Sequence, residues 1–145
     1  MTEVVFHFNV PDKQAYACRL LRKGYRQGVP LLVLADEPVL TELDAALWTF
    51  APHEFVPHCR ATDPAHVVRH SPIQLHAELP PSAPADAVLV NLRPLVPQGY
   101  QRCARLIELV TADPNDRQLA RQRWRGYQQD GLQPQKYDLQ ALARP

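Results

Sequence analysis

The sequence predicts an α/β protein with three layers, helices packed on both faces of a mainly parallel sheet. Three consecutive segments carry that prediction. Val4, Phe6, Phe8 and Val10 alternate with Val5, His7 and Asn9, the period of two that marks a strand. Asp12 then caps a helix that runs to Arg26, with Tyr16, Ala17, Leu20 and Leu21 on one face and Gly28 as its stop. Leu31 to Ala35, LLVLA, is an unbroken apolar run, as a strand covered on both sides requires. Strand, helix and buried strand make a βαβ unit, from which parallel pairing follows.

The remaining elements extend that pattern. Glu37-Pro38 opens a second helix, with the proline where no amide donor is needed; Val39, Leu40, Leu43 and Leu47 form its inward stripe and Trp48 lies beside it. Phe55 to His58 reads as a short third strand after the break at Pro52. Prolines 64, 72, 80, 81 and 84 mark the region from Arg60 to Ala85 as loop, apart from an edge strand at Ile73 to His76. Ala87 to Leu92, AVLVNL, is a second buried strand, and Pro97 to Val110 reads as a helix with Tyr100, Cys103, Ala104 and Ile107 inward. Asp113 caps a last helix, Pro114 to about Gln129, that stops before Gly131. One domain is expected over residues 1–131, with a loosely held Gln- and Pro-containing tail over 132–145.

A composition of 46% hydrophobic and 21% charged residues, with a net charge of +1, suits a globular chain and names no charged partner. Cys18, Cys59 and Cys103 lack CxxC spacing, so a reduced, cytoplasmic setting is expected. The opening residues lack the basic and then apolar stretches of a leader, and no apolar run approaches the roughly 20 residues that span a bilayer.

Catalytic chemistry finds little support. The turn after the first strand, Asn9-Val10-Pro11-Asp12, has no glycine-rich phosphate loop, and Gly24, Gly28, Gly99, Gly126 and Gly131 all fall elsewhere. His53, His58, Cys59, His66, His70 and His76 cluster in sequence without metal-ligand spacing. Adjacent His58 and Cys59 would point to opposite faces of a strand, which rules them out as base and nucleophile. Asp36 and Glu37 suit a helix N-terminus. No catalytic residue, metal or cofactor is expected.

Two stretches stand out instead. Within Leu43 to His58, Trp48 and Phe55 fit either a core or a docking surface. In the last helix, at about 100° per residue, Arg117, Arg121 and Arg125 share one face. Trp124 borders it, and Leu119, Ala120 and Tyr127 share another. That arrangement suits an acidic peptide with an apolar end, held by guanidinium groups beside an indole. A solvated basic face and a direct single-stranded nucleic-acid-binding module are the alternatives.

LDAALWTFAPHEFVPH (43–58), DAVLVNLRP (86–94) and RQLARQRWRGYQQDGL (117–132) together resemble the chi-subunit family of bacterial DNA polymerase III. The resemblance implies a Rossmann-like fold without a nucleotide-binding loop and an adaptor without enzymatic activity. It implies one-to-one pairing with the psi subunit, hence indirect attachment to the clamp loader, and binding of the acidic C-terminal tail of single-stranded DNA-binding protein, with DNA contact mainly indirect. Carried over residue by residue, Trp48, Phe55, Val56 and Pro57 match the psi-facing positions; Val110, Arg117, Arg121, Trp124 and Arg125 match the tail site. Trp124 stands where the family leads one to expect tyrosine, and Arg125 where a lysine serves; both substitutions keep the chemistry.

Overall fold

A computed structural model describes residues 1–49 and 55–140. Phe50, Pro52 and His53 therefore lie outside the described residues. The strands β1 (Glu3–Phe8), β2 (Leu31–Leu34), β3 (Cys59–Arg60), β4 (Ile73–His76), β5 (Val88–Asn91), β6 (Arg105–Val110) and β7 (Gln135–Asp138) form one sheet in the order β3-β4-β2-β5-β6-β1-β7. Every pairing is parallel. The helices are α1 (Lys13–Arg26), α2 (Glu37–Thr49), α3 (Ala65–His70) and α4 (Pro114–Gln129).

Side-chain alternation sorts the core into two halves. Leu31 and Val33 of β2 join α1 and α2 through Ala17, Leu21, Leu40, Leu43 and Leu47. Leu32 and Leu34 point the other way, into a cluster with Phe6, Leu89, Leu106, Ala120 and Tyr127 of α4. All four residues of β2 are thus buried, which is why its sequence shows no alternation. In α2 the inward stripe is Leu40, Leu43 and Leu47; Val39, expected with them, is exposed because it falls off that stripe.

Four segments depart from the sequence reading. Pro97 to Val110 is not a helix: a single 3-10 turn at Tyr100–Arg102 leads into β6, between β5 and β1. Leu106, Ile107, Leu109 and Val110 are buried on both faces, and Glu108 among them is fully buried, so only a central strand accommodates the run. Phe55 to His58 is irregular, and the strand there is the two-residue β3 that follows it. β3 pairs with the outer side of β4, so Ile73 to His76 is flanked on both sides and is not an edge; α3 then occupies part of the region read as loop.

The fourth departure is the chain after Gly131, read as a loose tail. Gly131 takes a φ of 87°, where only glycine avoids a steric penalty, and turns the chain out of α4. Gln135 to Asp138 then add to β1 as an edge strand, with Phe6 opposite Lys136 and His7 opposite Tyr137. Backbone pairing with β1 supplies what the polar sequence does not advertise.

Next to β7, His7 is buried with Nδ1 2.6 Å from the Tyr16 hydroxyl. Burial, helped by Arg105 and Lys23, lowers its pKa from 6.5 to about 4. A depressed histidine is neutral in the fold, so its contribution is complete above 6.5 and is lost as pH falls toward 4. Glu108, whose carboxyl burial pushes upward, has the opposite sign. The histidine is therefore isolated by difference: the acid-side fall in urea midpoint between pH 6.5 and about 4 should be smaller in His7→Gln than in the unmodified chain. Parallel profiles would refute the assignment.

Candidate functional site

α4 is fixed before it presents anything. Asp113 accepts from the Asp116 amide at 3.0 Å, and Pro114 occupies the first turn. Asp116 in turn accepts from the Thr111 amide and hydroxyl, both at 2.9 Å, and pairs with Lys13 Nζ at 3.0 Å. Burial would raise its carboxyl, yet these donors outweigh that and hold it below the ordinary value. The one acid in the first turn of α4 is thereby committed to anchoring the helix to α1 and β6, not to neutralising the arginines beside it.

The inner side of α4 is pinned by a buried network. Arg123, which the sequence places among the arginines of this helix, turns inward instead; its Nε lies 3.0 Å from Glu108 Oε1. That contact lacks hydrogen-bond geometry and acts as an ion pair. The directional bonds to the carboxylate come from Tyr127 Oη at 2.5 Å and Asn91 Nδ2 at 3.0 Å, while Arg123 Nη1 donates to the Pro94 carbonyl at 3.1 Å.

With those contacts set, α4 stands at the carboxyl ends of β1 and β6 beside a cavity of about 430 Å³. Val110, Arg117, Arg121, Trp124 and Arg125 all line it, so the five residues drawn together by resemblance share one concave surface. Phe6 and Phe8 of β1 supply apolar walls, and Lys136 of β7 adds a fourth cation; sequence spacing within the helix does not reveal these three. The Trp124 ring packs 5.0 Å from that of Phe6, and Lys136 Nζ sits 5.6 Å from its centroid. Among the described residues no acid lies within 4.0 Å of Arg117, Arg121 or Arg125. Such a surface can hold several carboxylates and one apolar group at once.

The second stretch forms a separate surface at the end of α2, on the opposite face of the sheet. Trp48 is 53% exposed and Phe55 66%, with ring centroids 5.5 Å apart. His58 backs the indole at 4.7 Å and is held by Asp44 Oδ1 at 2.7 Å and the Val56 carbonyl at 2.9 Å. Val56 itself is 3% exposed and belongs to the core, so it supports the patch from beneath; Pro57 is half-buried. A pair of large aromatics held on ordered backing is an exposed apolar surface of the kind that marks protein contacts.

His58, Cys59, His66, His70 and His76 do not converge on a metal site among the described residues. Cys59 is buried, and burial pushes its thiol upward. Among the described residues no helix is long and apolar enough to cross a membrane.

The fold and its strand ends define a parallel, Rossmann-like α/β protein whose strand-to-helix turns carry no glycine-rich phosphate loop. Residues 1–135 match the family described as DNA polymerase III chi subunit, HolC. The DNA polymerase III subunit chi of Pseudomonas aeruginosa is 37% identical over 124 residues, which cover 85% of this chain and 84% of that protein. The chain belongs to the DNA polymerase III chi subunit family, and its role is that of an accessory subunit in DNA replication.

Proposed function

We propose that the chain is a non-enzymatic adaptor that links the clamp loader, through psi, to the acidic C-terminal tail of single-stranded DNA-binding protein. The observation that carries this reading is the cavity beside α4, where Trp124 and Val110 share the lining with three arginines that have no acidic partner among the described residues. Charge selects the acidic residues of the tail, and the apolar walls from Phe6 and Phe8 take its hydrophobic end, which favours a peptide over bare phosphate. The Trp48 and Phe55 patch serves psi. A weak tail contact repeated over several tails gains strength by multivalency and still releases as synthesis advances.

Arg121→Ala removes one guanidinium from an exposed position of α4, so the fold should be unaffected while tail-peptide binding weakens by about 1 to 3 kcal/mol. Calorimetry with a tail peptide measures this, and the affinity of the unmodified chain should fall as salt rises. Unchanged affinity in the variant would remove the site.

A further inference from the structure

A third concave surface has no part in either contact. It lies on the α1 face of the sheet, toward the amino ends of β2, β5 and β6, and encloses about 500 Å³. The first cavity opens on the other face, at the carboxyl ends of β1 and β6. An all-parallel sheet is ordinarily covered by helices on both faces. Here α1 packs on β2 and β6 and reaches β1 through Tyr16, and a concavity remains beside it above buried Val5 and Ile107.

What is left open is not an apolar sheet. Val5 and Ile107 form a floor, and above it stand two tyrosines and a histidine. The Tyr137 ring lies 5.0 Å from that of His7 at an interplanar angle of 39°, and Tyr137 remains 44% exposed. Tyr16 bonds His7 through its hydroxyl and carries the Arg19 guanidinium 5.8 Å from its ring.

Arg19, Lys23 and Arg105 also line the cavity, and among the described residues no acidic side chain does. Among the described residues none of the three has a carboxylate within 4.0 Å. Glu3 is the register partner of Arg105 and still makes no ion pair with it.

We propose that this cavity binds a nucleotide unit, its base stacked on Tyr137 beside Tyr16 and its phosphate held by Arg19, Lys23 and Arg105. The volume lies within the range of small-ligand sites. Every base offers a π-face to a tyrosine whatever its identity, while three clustered cations select phosphate. An aliphatic carboxylate would satisfy the cations and leave the ring platform unused. Recognition here needs no glycine-rich loop, because side chains and not backbone amides meet the phosphate. The same chemistry is supplied by a free nucleotide or by one residue of a single strand.

The test is a titration of the full chain with ADP and, separately, with a short oligothymidylate at low salt, followed by amide chemical shifts. Saturable shifts at Lys23, Arg105 and Tyr137 are expected with at least one probe. A response to ADP identifies the free nucleotide as sufficient, and a response to the oligothymidylate alone identifies the strand. Lys23 and Arg105 are both exposed, so the Lys23→Gln, Arg105→Gln double variant should fold normally and bind about tenfold or more weakly. Arg121→Ala, on the other face, should bind as before. Bound phosphate would also offset Arg105 and Lys23 at His7 and raise its pKa in the complex, which a merely structural role would not do. No saturation with either probe, undiminished binding in the double variant, or shifts centred on Arg121 and Trp124 would overturn the site.

Discussion

Arg123→Ala should lower the unfolding free energy by about 3 to 5 kcal/mol, the cost of leaving a buried carboxylate without its cation. Arg123 is 4% exposed and Glu108 is fully buried. Removing the guanidinium leaves a carboxylate in the interior with only the Tyr127 hydroxyl and the Asn91 amide to stabilise its charge. Burial already pushes that carboxyl upward against the pull of Arg123, so in the variant it should take up a proton at still higher pH. Urea denaturation at neutral pH reads the loss. Combining Glu108→Leu and Arg123→Met with Tyr127→Phe should recover part of it, since an apolar set of similar bulk carries no desolvation penalty and leaves no orphaned Tyr127 hydroxyl. A change below about 1 kcal/mol in the single variant would mean that the pair lies in a wetter place than its burial indicates.

On the proposed assignment of the Trp48 and Phe55 patch to psi, Trp48→Ala should weaken psi binding by about 2 to 4 kcal/mol, as for a tryptophan near the centre of an interface. The indole is half-exposed and rests on Phe55 and His58, so truncation removes the contact surface and the ordered stacking that positions Phe55. The cost to the fold should be about 1 kcal/mol, because the core beneath is made by Leu43, Leu47 and Val56. Tail-peptide affinity should not change, because α4 lies across the sheet from α2. Loss of both affinities with a normal melting curve would show one continuous surface instead of two.

How far the sequence disclosed this arrangement depended on where each element finds its partners. β2 is covered on both faces, and an unbroken apolar run records that directly; in β5 three consecutive apolar residues precede Asn91 and do the same. α4 announces itself through Asp113, Pro114 and Gly131, all local to its ends. β6 does not, because Glu108 interrupts its apolar run and its compensation by Asn91, Arg123 and Tyr127 comes from distant positions. β7 is polar and needs little more than the backbone of β1, so no periodicity marks it.

The same distinction divides the cavity beside α4. Its helical wall follows from spacing in one segment, whereas Phe6, Phe8 and Lys136 arrive there through the register of β1 with β6 and β7. On the other surface, Phe55 and Val56 are neighbours in sequence with opposite fates, one exposed and one in the core. Residues 55–58 are irregular and leave no periodicity from which to tell which is which.

On the proposed function one chain should hold psi and the tail at once. Sedimentation of the chain with psi and a labelled tail peptide of single-stranded DNA-binding protein tests it most directly. A ternary species carrying both is expected, from which Trp48→Ala releases psi alone and Arg121→Ala releases the peptide alone. Displacement of psi by the peptide would contradict it.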